Sequence, residues 1–134
     1  MAGYLINIEL KSLENEYFRE VLFTGPHSQL VVMALKPAED IGLETHGDVD
    51  QFIRIESGHG MVVLDEEEHT LGNGAAVVIP AGTRHNIVNT SKTEFLKLYT
   101  VYSPPEHPQG TVHKTKAEAM TYERELNPMP EGLE

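Results

Sequence analysis

Apolar positions along this chain fall in short runs, each stopped by glycine, proline or an acidic turn, which is the pattern of strands rather than of long helices. Tyr4 to Leu10 reads as a first strand, followed by a turn-rich segment to Phe18, and Arg19 to Thr24 as a second, stopped by Gly25-Pro26. Leu30 to Lys36 (LVVMALK) lacks polar alternation, which predicts a strand covered on both faces. Pro37 ends it, because proline has no N–H to give to a ladder. Shorter strands follow over Glu44 to His46 and Gln51 to Glu56. Met61 to Leu64 and Thr70-Leu71 flank the acidic turn DEEE as a hairpin. Ala76 to Ile79 runs into Pro80-Ala81-Gly82, and His85 to Asn89 and Phe95 to Tyr102 bring the total to roughly eight to ten strands.

The chain changes character near its end. Thr115 followed by Glu118 matches a capping box, with Thr115 as N-cap and Glu118 three residues on. The expected helix is short, carries Ala117, Met120 and Leu126 on its apolar side, packs outside the sheets and stops before Pro128. Residues 1–126 are expected to form a single domain and residues 127–134 a flexible tail.

Composition narrows the class. Eleven glycines and eight prolines spread among short apolar runs in 134 residues fit an all-β domain, and a hydrophobic fraction of 40% is enough for a folded core. Ten basic residues against 21 acidic ones give a formal charge of −11, a field that repels phosphate backbones and anionic headgroups. Neither a nucleic-acid nor a membrane partner is expected. The chain has no cysteine, so disulfides, thiolate metal sites and cysteine nucleophiles are excluded. No apolar stretch is long enough to span a bilayer, and MAGYLINIEL lacks the basic and apolar regions of a signal peptide; the expected location is the cytoplasm.

The most informative stretch is GAAVVIPAGTRHNIVN, where Gly74, Pro80, Gly82, His85 and Asn89 stand at the spacing G-x5-P-x-G-x2-H-x3-N. Pro80 and Gly82 build a tight turn between two strands, and His85, Ile87 and Asn89 then share one face of the returning strand. This is the spacing of the second cupin motif, and the chain resembles the small single-domain cupins. The first cupin motif, G-x5-H-x-H-x3-4-E-x6-G, is matched less fully by IGLETHGDVDQFIRIESG. Gln51, six residues before Gly58, stands where the motif has glutamate; His46 stands at its second histidine and Glu44 at its first. A register taking His46 and Asp48 as the histidine pair leaves too few residues before Gln51. The opening glycine is missing, and Pro37 is a candidate for its turning role.

The resemblance implies an all-β cupin jelly-roll barrel of two antiparallel sheets, a homodimer built near the N-terminus, and one divalent metal held by Glu44, His46, Gln51 and His85. Two imidazoles, one carboxylate and one amide oxygen suit Fe, Mn, Ni or Zn as a divalent ion. The expected function is metal-dependent catalysis on a small, oxygen-rich organic substrate, of dioxygenase or sugar/keto isomerase type, with Glu44 as a base. The alternative is a non-catalytic barrel that binds or senses a small molecule or metal. His59 and His69 are expected at the surface. His107 and His113 lie in a proline-rich connection that fits either a cover over the barrel mouth or a surface loop. Phe52, Arg54, Lys97 and Tyr99 could line the pocket, depending on which alternate set faces inward.

Overall fold

In the computed structural model, which describes residues 2–126, the elements run α1 (Ile8–Glu14), β1 (Arg19–Thr24), β2 (Gln29–Leu35), β3 (Glu44–Thr45), β4 (Asp50–Ser57), β5 (Gly60–Leu64), β6 (Glu67–Leu71), β7 (Ala76–Ile79), β8 (Arg84–Asn89), β9 (Leu96–Ser103), β10 (Val112–His113) and α2 (Lys116–Leu126). Six strands pair antiparallel in the order β10-β1-β2-β9-β4-β7, and four in the order β3-β8-β5-β6. The two sheets form the expected jelly roll. No helix among the described residues is long and apolar enough to cross a membrane.

Strand parity decides what lies between the sheets. Val31, Met33 and Leu35 of β2, Ile53 and Ile55 of β4, and Leu96 and Leu98 of β9 meet Val62 of β5 and Ile87 of β8 in one buried cluster. The same parity continues into polar residues: Gln51 on β4, Thr100 on β9, Arg19 on β1 and His85 on β8 are all buried. The lumen is thus aliphatic in one part and polar in another. Phe52, Arg54, Lys97 and Tyr99 alternate with the inward residues and lie on the opposite face, where Phe52 meets Tyr99, so they do not line the pocket.

The outer face of β2 explains its unbroken apolar run. Val32 and Ala34 are as buried as the core residues because α1 packs across β2, β9 and β4. That helix corrects the expected strand over Tyr4 to Leu10. Asn7 caps it, its side chain accepting from Leu10 N at 3.0 Å, with Glu9 in the first turn where the helix dipole favours a negative charge. Ser12 faces the sheet, Lys11 pairs with Glu20 at 3.3 Å, and Lys97 donates to the Leu13 and Asn15 carbonyls at the helix end. Local capping outweighed an alternation too short to win a sheet partner.

The hairpin is tighter than expected. Leu64 pairs with Glu67, leaving Asp65 and Glu66 as the loop and placing Glu67 and Glu68 on β6. Val112–His113 adds an edge strand to β1 that the proline-rich composition had hidden. The capping box of α2 holds, with Glu118 N donating to Thr115 Oγ1 at 3.1 Å. Its buried residue is Ala119, however, while Ala117, Met120 and Leu126 are exposed. The sheet contact is narrower than a full apolar stripe, and Met120, Tyr122, Glu123 and Leu126 border a cavity. The expected tail, 127–134, lies outside the described residues.

Two turns around the first motif show why its residue types are needed. A Cβ on Gly58 would stand 2.6 Å from the Phe95 carbonyl oxygen, at φ +109°, so only glycine fits without displacing backbone. The position six residues before Glu44 is Ala38, and it adopts φ +65°. The turn of the missing glycine is therefore made by alanine in the left-handed region, at a cost of about 1 kcal/mol, rather than by Pro37 alone.

Candidate metal centre

β3 and β8 set Glu44 directly opposite His85, and the chain leaves β3 at His46. The two motif loops are then tied together: Gly82 N donates to the His46 carbonyl at 2.7 Å, and Ala81 N to Asp50 Oδ1 at 2.9 Å. The result brings one donor atom each from Glu44, His46 and His85 within 4.8 Å of one another, with the two imidazole centroids 5.2 Å apart. Three of the four expected ligands thus meet at one point.

Each imidazole is oriented by what its other nitrogen touches. His85 Nδ1 lies 2.9 Å from the Thr83 carbonyl, which can only accept, so the proton is on Nδ1 and Nε2 presents a lone pair. His46 Nδ1 faces Glu106 Oε2 at 3.4 Å, while its Nε2 is buried, 3.9 Å from Glu44 Oε2 and without a hydrogen-bond partner among the described residues. Gln51 is buried on β4. Its Nε2 donates to Thr100 Oγ1 at 3.0 Å, which leaves Oε1 buried and equally unpartnered. Buried acceptors without donors are rare in native proteins. His46 Nε2, the Glu44 carboxylate and the available His85 lone pair make a donor set that fits a divalent cation, and Gln51 Oε1 is a further unpartnered oxygen on the inward face of β4.

Glu106 and His107 come from the proline-rich connection, and sequence reasoning missed the first of them. Gln29, buried at the start of β2, holds both: its Oε1 accepts from Glu106 N at 3.2 Å and His107 N at 3.0 Å, and its Nε2 donates to the His107 carbonyl at 2.7 Å. The connection therefore folds against the mouth. A cavity of about 680 Å³ opens there, walled by Arg19, Glu44, His46, Glu106, His107 and His113 and, from α2, by residues including Tyr122 and Glu123. The only sequence signal for Arg19 and Gln29 was their place at the starts of two strands on the inward parity.

Burial shapes the protonation of this wall. It raises the Glu44 carboxyl above its ordinary value despite the opposing pull of His46 and Arg19. It pushes the buried Tyr102 hydroxyl up in the same way. His85 and His113 are both lowered, by burial first. His107, packed edge-on against Tyr102, is pushed down to about 3 by burial and then by Arg19.

That last shift predicts a pH dependence. A histidine neutral in the fold but ordinary when unfolded, near 6.5, adds stability that is complete above pH 6.5 and is lost as pH falls towards 3. By about pH 5 the loss is about 2 kcal/mol from His107. The melting temperature of metal-free protein should fall between pH 7.5 and pH 5, and His107→Gln should flatten that slope. A slope unchanged in the variant would refute the assignment.

Comparison with known proteins agrees with this architecture. The cupin domain family matches residues 31–102, which contain every expected ligand. The chain belongs to the cupin family. It is 49% identical over 112 residues to the uncharacterized protein L612 of Acanthamoeba polyphaga mimivirus, covering 81% of this chain and 70% of that one. It is 47% identical over 126 residues to the uncharacterized protein YrkC of Bacillus subtilis, covering 90% and 67%. Among solved structures, BH2720 from Bacillus halodurans superposes with a TM-score of 0.86 at 44% identity, over 89% of this chain and 94% of that one.

Proposed function

We propose that this cupin is a metal-dependent enzyme acting on a small, oxygen-rich organic molecule, with Glu44, His46, Gln51 and His85 holding one divalent Fe, Mn, Ni or Zn ion. The observation that carries the reading is the convergence of donor atoms from Glu44, His46 and His85 within 4.8 Å, with the buried His46 Nε2 unpartnered among the described residues and Glu44 and His46 lining a cavity that opens to solvent. A bound ion would supply Lewis acidity towards a substrate oxygen, or dioxygen chemistry if it is iron.

The remaining steps belong to the chain. Glu44 is the candidate base when it leaves the metal: burial then disfavours its charge, so it accepts a proton more readily than a surface carboxylate does. Pro108 and Met120 on the cavity wall, and Tyr102 packed edge-on against His46, reduce the water around the reacting atoms. Thr100 Oγ1 accepts from Gln51 Nε2, which leaves the amide oxygen available. A homodimer is part of the same reading, supported by exposed apolar side chains at Tyr4, Leu5, Leu10 and Leu13 on the N-terminal segment and α1.

The test is elemental analysis of protein purified without chelator, followed by oxygen uptake and isomer formation with β-diketones, catechols and keto sugars. About one transition metal per chain is expected. Metal without turnover would leave a binding barrel, and no metal would overturn the proposal.

Glu106 tests the arrangement from outside the ligand set. A carboxylate behind a ligating histidine typically changes metal affinity tenfold to a hundredfold. Glu106→Ala should therefore weaken metal binding by about that factor in competition with a chromogenic chelator, and Glu106→Gln less. The metal-free melting temperature should barely move, because the residue is exposed.

A further inference from the structure

We propose that Arg19 is an anion-recognition residue, and that the molecule this cavity takes is a small organic acid whose carboxylate meets Arg19 while a keto or hydroxyl oxygen reaches the Glu44–His46–His85 cluster. The second half rests on the metal reading above; the first stands without it.

Arg19 is only 2% exposed, yet it borders the cavity. Its surroundings are not those of a structural arginine. A guanidinium has five N–H donors in a fixed fork, and when buried for structure it is met by a carboxylate or by several carbonyls. Here Nη1 meets His113 Nδ1 at 3.3 Å, and the buried Nε has no partner among the described residues. None of the ion pairs within 4.0 Å among those residues includes Arg19.

His113 offers no counter-charge. Arginine can only donate, so His113 Nδ1 accepts and the ring is neutral. The Phe18 ring lies 5.2 Å from the guanidinium carbon and offers a cation–π contact, not a salt bridge. Glu44, Glu106 and Glu123 line the same cavity, none of them within 4.0 Å of an Arg19 nitrogen. On the outer face, by contrast, Arg54 already stands 3.6 Å from Glu56.

A buried cation left this open is costly unless an anion arrives to meet it. The overall field argues the same way. A chain with a net charge of −11 repels small anions, so one that binds them needs a local, sheltered cation. The cavity, at about 680 Å³, lies in the range of small-molecule sites. Arg19 on β1 and Glu44 and His46, at β3, share its wall, which suits a molecule with a carboxylate at one end and an oxygen donor at the other.

The test is calorimetric titration of full-length protein, metal-loaded and metal-free, with pyruvate, glycolate, inorganic phosphate and glycerol. Pyruvate or glycolate should bind to metal-loaded protein at or below about 1 mM, and glycerol at least tenfold more weakly. Arg19→Gln should lower carboxylate affinity about tenfold to a hundredfold without changing metal content. Arg19→Lys keeps the charge without the fork; it should lose less, and it gives the reading if the glutamine variant does not fold.

Carboxylate binding unchanged in the folded variants would overturn the proposal. So would glycerol binding as tightly as pyruvate, phosphate binding where carboxylates do not, or no acid binding up to about 10 mM. If the protein holds no metal but still binds carboxylate through Arg19, this assignment stands and the metal reading falls.

Discussion

His85→Ala is expected to reduce bound transition metal from about one ion per chain to less than about a tenth of that, while leaving the barrel folded. The argument begins at the turn before β8. Pro80 and Gly82 reverse the chain, and Thr83 accepts the Nδ1 proton of His85, which fixes both tautomer and ring direction. The histidine therefore enters the lumen with its Nε2 lone pair already available. Alanine keeps the β8 backbone, and with it the pairing to β3 and β5, so the sheet has no reason to rearrange. What remains is Glu44, His46 and the Gln51 amide, the last of these a weak, neutral donor. Losing a direct ligand should cost more than the tenfold to hundredfold typical of an outer partner. His59→Ala, in the β4–β5 connection, and His69→Ala, on β6, both exposed, are the controls and should keep full occupancy. A His85→Ala protein that retains its metal would remove His85 from the ligand set.

The contrast between the two motifs shows what can be read from sequence here. The second motif is local around its histidine. Its proline, second glycine and histidine act within one turn and the strand it feeds, so fixed spacing carries the geometry of the histidine, while Gly74 stands before β7 and Asn89 reaches the end of β2. The first motif is read through substitutions. Placing Glu44 at a histidine position was possible only by counting back from Gly58, whose own place is dictated by the Phe95 carbonyl. Ala38 shows that a motif position can persist as backbone conformation after its residue type has changed.

The misses share a different cause. Tyr4 to Leu10 has the alternation of a strand, but no sheet edge lay close enough to outweigh the cap offered by Asn7. The faces of β4 and β9 could not be assigned, because both carry polar residues on both parities and only the partner sheet decides which are buried. Glu106 is invisible in sequence because its role depends on Gln29, from the other end of the fold, gripping the backbone of the connection. A mouth built by long-range hydrogen bonds to a loop leaves no periodic trace.

The largest stability effect is expected at Asn89, the last residue of the second motif and one with no part in the proposed chemistry. Asn89 is 1% exposed. Its Nδ2 lies within hydrogen-bond distance of three carbonyls, Leu35 at 3.0 Å, Lys36 at 3.0 Å and Glu94 at 2.8 Å, while its Oδ1 accepts from Ser91 N at 2.9 Å. One side chain thus fastens the end of β2, the turn after β8 and the entry to β9. Asn89→Leu fills a similar volume but leaves those backbone groups without this partner. At about 1 to 3 kcal/mol for a buried group left unsatisfied, and with some of the carbonyls reaching water at the turns, the net loss should be about 3 kcal/mol. For a domain of this size that is a fall in melting temperature of about 10 °C. Asn89→Asp should be worse despite its near-identical shape, since it turns a carboxylate oxygen towards three carbonyls. Below its melting temperature, Asn89→Leu should still bind about one metal per chain, because His85 is held by Thr83 and not by Asn89. A leucine variant as stable as the parent would show that these hydrogen bonds do not hold the strand ends. A stable variant that lost its metal would show instead that Asn89 belongs to the site.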